Sequence, residues 1–430
     1  MEHTNESQLP RPYVTASEHP EADRQIRRPS LLNRFKRRPF LVWVGVVITL
    51  TLVGGALYSV YMSAVQGNVS VVINGRAQTS PPTTTPGSKE VGHGYGIAAG
   101  GSLAELNDQE LEQRMAGIEA AGATWVRFDF SWDAIQPDDA AHYSWATYDR
   151  LAASAQKHHL LVLGILDFTP RWARSAACVD SDKCQPADNQ QFANFARTVV
   201  HRYKDKGLHY WEIWNEPNNP QFWQPRSNPT AYAHLLQAAA VTMRAEDAQA
   251  YLITAGLSPQ DTTDTSYSPI AFLTAVYAAG VKDSFDAVAD HPYTFPLSPK
   301  DPGNHAWSQM VSAKSSLRQT MAGNGDTHKK LWITEFGAPT GGPGPVATIS
   351  NPNLAAHPYV VDEPLQAKIL SDAFALYKSY DWAGPFMYYS YQDAGTSPDT
   401  NENFFGLLRA DGSKKPAYQV FADTAKAAAQ

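Results

Sequence analysis

The stretch WEIWNEPN, Trp211 to Asn218, sets an aromatic, apolar run directly before a glutamate, Glu216, and a proline. It reads as a strand that ends by handing Glu216 to a loop, since proline cannot continue a hydrogen-bonded ladder. Seven more short β-rich runs punctuate the chain: YGIAAG (95–100), WVRFDF (125–130), LLVLGILDF (160–168), YLITAGLSP (251–259), FDAVADHPY (285–293), LWITEFG (331–337) and PFMYYSYQD (385–393). With 210–217 they make eight. Between them lie stretches such as NQQFANFARTVVHRYKDKG and EPLQAKILSDAFALYKSYDWAG, with apolar residues three and four apart, as amphipathic helices require. Eight βα units over roughly 335 residues predict an α/β fold, a (β/α)8 TIM barrel. An open doubly wound sheet is disfavoured because GHGYGIAAGG lacks the spacing of a phosphate-binding turn.

A barrel places its chemistry at the carboxyl ends of its strands. Polar residues gather there: Arg127, Asp129 and Trp132 after strand two, Asp167 and Trp172 after strand three, Asn215 and Glu216 after strand four. His291 and Tyr293 follow strand six, Glu335 strand seven, and Tyr389, Tyr391, Gln392 and Asp393 strand eight. Glu216 and Glu335 would therefore meet across one mouth, and two carboxylates over a shared pocket can cleave a glycosidic bond. That chemistry requires a separation of about 5–5.5 Å if the second carboxylate is to attack. Trp211, Trp214 and Phe336 are candidates for raising one acid's pKa, and Tyr or Arg hydrogen bonds for keeping the other charged. Glu212 lies one pleat deeper and is expected in a buried pair with an arginine. Arg127 itself reads as a site residue beside the attacking carboxylate, with an internal ion pair as the alternative. His291 reads equally as a site residue or a hydrogen-bonded core histidine, and Trp132 and Trp172 as sugar-stacking faces or packing.

Hydrophobic residues at 43% and charged residues at 18% describe a chain able to bury a large core, and the net charge of −7 argues against a nucleic-acid partner. The charge is uneven. Residues 1–39 carry eight Arg or Lys against five Asp or Glu, a net of +3, which leaves −10 for the rest. Polar and Pro-rich, they read as a disordered tail. Residues 40–62 (FLVWVGVVITLTLVGGALYSVYM) hold no charge and are long enough for a membrane helix, roughly 35 Å. A cleaved signal peptide is the rival reading, disfavoured by the length of the apolar run and the polar leader before it. The flanking basic residues place the N-terminus in the cytoplasm and the bulk of the chain outside. Residues 63–93, with TSPPTTTPGSKE, read as a stalk, and 94–430 as the catalytic domain. Cys178 and Cys184 bracket CVDSDKC and suit a loop-stapling disulfide in an oxidising compartment better than a zinc site.

WEIWNEPN and WITEFG resemble the acid/base and nucleophile segments of clan A glycoside hydrolases, retaining (β/α)8 enzymes. Within the clan the chain most resembles family 39 and related bacterial exopolysaccharide glycosidases, with support from VRFDFSWDAIQP, LDFTPRWA, HPY and FFGLLRADGSKKPAY. The similarity runs from Gly94 to the C-terminus. It implies Glu216 as general acid/base, Asn215 as the ligand of the sugar 2-hydroxyl, Glu335 as nucleophile, and Tyr293, His291 and Arg127 as its support. It implies no metal or organic cofactor. Strand eight departs from the clan, offering Tyr388, Tyr389 and Tyr391 where a tryptophan commonly lies under the sugar. The expected function is a membrane-anchored, extracytoplasmic retaining hydrolase of a cell-envelope or secreted polysaccharide. The alternatives are a transglycosylase, in which a sugar hydroxyl replaces water, and a non-hydrolysing glycan-binding barrel.

Overall fold

The computed structural model describes residues 91–352 and 359–428. The chain divides into two units, Met1–Gly87 and Ser88–Gln430, and the described residues belong to the second. The expected tail, membrane span and nearly all of the stalk lie outside the described residues. Among the described residues, no helix is long and apolar enough to cross a membrane.

The second unit is a closed parallel barrel of eight strands: β1 (Tyr95–Gly100), β2 (Trp125–Ser131), β3 (Leu161–Asp167), β4 (Tyr210–Ile213), β5 (Tyr251–Thr254), β6 (Ala287–Asp290), β7 (Lys330–Ile333) and β8 (Ala383–Tyr389). Each strand neighbours the next in sequence, and β8 pairs with β1 to close the ring. Five strands, β4 to β8, stop three or more residues sooner than the sequence pattern suggests. β4 ends at Ile213 because Trp214 (φ 73°) and Glu216 (φ 45°) turn into the left-handed region, which an extended ladder cannot follow. β5, β6 and β7 also release their last residues as loops, so Glu216, His291, Tyr293 and Glu335 lie just past strand ends.

The helices start where the sequence signals them. Helix α1 (Asp108–Ala120) opens with Asn107 and Glu110 in a reciprocal capping box, and α3 (Asn189–Tyr203), α4 (Pro229–Glu246) and α7 (Glu363–Tyr377) are capped by Asp188, Asn228 and Asp362. Proline in the first turn of α4 and α7 loses no intrahelical bond. Helix α2 (Ala146–Lys157), α5 (Pro269–Ala278), α6 (Leu317–Gly323) and α8 (Pro416–Ala428) complete the outer ring.

Strand alternation divides the core into two clusters. Outward residues Val126, Phe128 and Phe130 of β2 and Trp211 and Ile213 of β4 pack under the helices. Inward residues Trp125, Leu163, Tyr251, Ile253, Trp332 and Met387 fill the barrel. Its amino-terminal end is floored by four rings: Trp125 lies 4.8 Å from Tyr210 and 5.2 Å from Trp332, with Tyr251 against both Tyr210 and Trp332. Arg127 and Glu212, one pleat higher, form the next layer.

Cys178 and Cys184 are bonded, as the spacing suggests. A loop this short gains about 2 kcal/mol from restricting the unfolded chain. Changing both residues to serine is therefore expected to lower the unfolding free energy by roughly that amount, read from a urea transition.

Candidate active site

Arg127 has no exposed surface and anchors the floor of the mouth. Its Nε donates to Glu212 Oε2 at 2.7 Å and its Nη2 to Glu212 Oε1 at 3.1 Å, the buried pair anticipated for Glu212. Nη2 also reaches Asn215 Oδ1 at 3.0 Å, and Nη1 donates to Glu335 Oε1 at 2.5 Å. One guanidinium thus joins the inner carboxylate to the outer one, so both readings of Arg127, ion pair and site residue, describe the same side chain. Glu212 takes two further bonds, from the Gly256 amide at 2.7 Å and the Thr334 hydroxyl at 3.2 Å.

Gly256 must be glycine. A Cβ there would fall 2.0 Å from His291 Nε2, and the same residue's carbonyl accepts from the Glu216 amide at 3.1 Å. The missing side chain lets the imidazole lie over the loop that positions Glu216. Trp214 N bonds to Leu166 O at the end of β3, fixing that loop from its other side. The positive φ of Trp214 and Glu216 is backbone strain held in place by these bonds.

His291 Nδ1 lies 2.9 Å from Glu216 Oε1 and Nε2 lies 3.0 Å from Thr334 Oγ1. The salt-bridged Glu212 can only accept from Thr334, which leaves the hydroxyl oxygen to accept from His291 Nε2–H. Nδ1 faces the Glu216 carboxyl, which would favour a positive charge on the ring. Burial opposes that charge, but Glu335 and Glu216 outweigh it and raise the His291 pKa above its ordinary value.

Tyr293 donates to Glu335 Oε2 at 2.7 Å. Burial works against the Glu335 charge, yet His291, Arg127 and the Tyr293 hydrogen bond together hold its pKa below the usual carboxylate value. Glu216, His291 and Glu335 each bring a ligand-type atom within 4.8 Å of the others. A metal would compete poorly there, because both Glu335 oxygens already take donors and the Arg127 charge sits against one of them.

These groups open into a cleft of about 440 Å³, within the range of roughly 300–1,000 Å³ usual for ligand pockets. Asp167, Asn215, Glu216, Tyr293, Glu335 and Tyr389 line it, and Arg127 and His291 lie beneath. Trp132, Trp172 and Tyr391 do not reach it. Trp132 is buried in the helix layer, stacked on Phe195, with its Nε1 bonded to Gln136. Trp172 packs edge-on against Trp132 and donates to the Gln136 carbonyl. Tyr391 turns outward to Arg114 of α1, and Tyr388 is buried against Phe421 of α8. Trp211 and Phe336 also face the helices, against Phe130 and Phe386, so neither shields an acid. The apolar walls are Phe168, Phe222, Phe295 and Phe405, which the sequence reading did not select. Phe168 belongs to LDFTPRWA and Phe405 to FFGLLRADG, so the motifs pointed to the right segments and the wrong rings. Asp129, Lys183 and Glu402 join the cleft as well.

Opposed glutamates on loops at the carboxyl end of a closed (β/α)8 barrel define a glycoside hydrolase of the retaining clan A kind. The chain belongs to the cellulase family, glycosyl hydrolase family 5, whose model matches residues 90–352. No curated protein matches it. Similar solved structures include a family 39 glycoside hydrolase from Bacteroides cellulosilyticus WH2, with 22% identity over 77% of this chain and 63% of that one and a TM-score of 0.56. A monomeric β-xylosidase from Caulobacter crescentus CB15 shares 17% identity over 77% and 69% of the two chains, TM-score 0.54. An exo-β-1,4-mannosidase from Opitutaceae bacterium strain TAV5 shares 16% over 80% and 60%, TM-score 0.54. The chain thus spans less than two thirds of the first and last of these. At such identities the likeness is one of fold.

Proposed function

We propose that this protein is a membrane-tethered, outward-facing retaining glycosidase that cuts a cell-envelope or secreted polysaccharide by double displacement. The observation that carries the mechanism is that one carboxyl oxygen of Glu216 and one of Glu335 come within 4.8 Å of each other over one cleft, an approach that suits a retaining pair. Glu335, kept charged by Arg127 and Tyr293, attacks the anomeric carbon while Glu216 gives its proton to the departing oxygen. Glu216 then takes a proton from water, which attacks the same carbon and releases Glu335. Asn215, fixed by Arg127, is placed to bond a sugar hydroxyl. The outward address is supported by the uncharged run 40–62 with basic residues before it and by the disulfide, which persists in an oxidising compartment.

The test is to incubate the protein with activated 2-deoxy-2-fluoro glycosides and map the adduct by mass spectrometry. The expected result is a covalent sugar on Glu335, with retained anomeric configuration in the first product of ordinary substrates. Inverted product, or labelling elsewhere, would overturn the assignment. Tyr293→Phe removes one hydrogen bond to the charged nucleophile, worth about 1.5–3 kcal/mol, so kcat/KM on aryl glycosides is expected to fall roughly tenfold to a hundredfold.

A further inference from the structure

Two carboxyl groups inside the cleft have no part in the double displacement. Asp129 on β2 and Asp167 on β3 come from paired strands, whose register sets Asp129 opposite Ile165 and Ser131 opposite Asp167. Both point inward, two residues apart along the ladder, and both line the cavity. Asp167 has no exposed surface, and neither of its oxygens meets a donor. A buried acceptor left unmade is costly, and the cavity is the side from which a partner can arrive.

The cations nearby are already engaged. Lys183, the one ammonium lining the cavity among the described residues, bonds Asp182 at 2.6 Å and lies 4.1 Å over the Phe168 ring. Arg127 is committed to Glu212 and Glu335. Glu402 adds a further carboxylate at the rim, bonded to the Tyr389 hydroxyl. Free carboxyls beside committed cations repel an anionic sugar and suit a positive one.

We infer that the cleft accepts an amino sugar bearing a free ammonium group, which Asp129 and Asp167 bind beside the glycosidic bond held by Glu216 and Glu335. This names the substrate class of the glycosidase site and rests on that reading. Burial pushes Asp129 up to about 6 and Asp167 well above the usual range, the latter helped by Asp129. The groups facing them are Arg127 on β2, Glu212 on β4, Glu335 after β7, Lys183 in the loop after β3, Tyr148 of α2 and Tyr389 of β8. An ammonium favours their ionised forms, so binding releases protons and tightens as pH rises through about 6.

Calorimetric titration of the full-length protein with glucosamine, galactosamine and mannosamine, each beside its parent sugar and its N-acetyl form, tests this without turnover. At pH 7 at least one amine is expected to bind about tenfold or more tighter than both counterparts, more weakly at pH 5, with proton release revealed by changing the buffer. Asp167→Asn and Asp129→Asn, near-isosteric replacements checked for an unchanged unfolding midpoint, are expected to abolish the preference. Equal or tighter binding of the neutral sugars, or no binding of any amine up to millimolar concentration, overturns the inference. A missing adduct on Glu335 would instead strike the catalytic reading and leave this measurement intact.

Discussion

Glu335→Ala is expected to lower kcat on aryl glycosides by about 10⁴-fold or more, since the proposed glycosyl intermediate forms on its carboxylate. The fold should survive. Arg127 keeps its two bonds to Glu212 when Glu335 is gone, so its buried charge is not stranded. In the proposed mechanism the vacated space lies beside the anomeric carbon, and added azide is expected to fill it and restore turnover, giving a glycosyl azide of inverted configuration. Ordinary hydrolysis by the alanine variant, with retained product and no azide, would remove Glu335 from the role assigned to it.

Arg127→Met should injure both stability and activity. Glu212 would remain at the barrel's centre with no cation, and breaking one side of a buried pair costs about 3–5 kcal/mol. The variant is thus expected to unfold at markedly lower urea. Adding Glu212→Gln should recover much of that loss, because the stranded charge goes with it, and leave activity low. The pH profile supplies the sign. Glu335 is held below its ordinary 4.5 by His291 and Arg127 against the pull of burial. Its charged form therefore contributes stability above the unfolded carboxylate value, and that contribution is lost as pH falls through the lower folded value. Without Arg127 the folded value rises, so the acid limb of kcat/KM is expected to move to higher pH. A variant with the wild-type acid limb would show that Arg127 does not tune Glu335.

The architecture was legible because its signals are local. Runs such as WVRFDF and LLVLGILDF stand between helical stretches opened by Asn107, Asp188 and Asp362, and each unit can be read alone. Glu216, Glu335, Tyr293 and Asn215 were legible for the same reason, each following a recognisable strand. What the sequence hides is direction once a strand has ended. Trp132 and Trp172 sit at the correct end of the barrel, yet the turn after β2 sends the first into the helix layer and the second follows it. Tyr391, past the end of β8, turns to α1. Phe168, Phe295 and Phe405 gain their place on the wall from long loops that no periodicity describes. Asp167 was selected from its position, but its lack of a partner is visible only when the surrounding side chains are in place.

The ring cluster of Trp125, Tyr210, Tyr251 and Trp332 closes the lower end of the barrel. The barrel is consequently a cup and not a tube. Solvent, substrate and product therefore share one doorway, and whatever is cut must both arrive and leave by the rim.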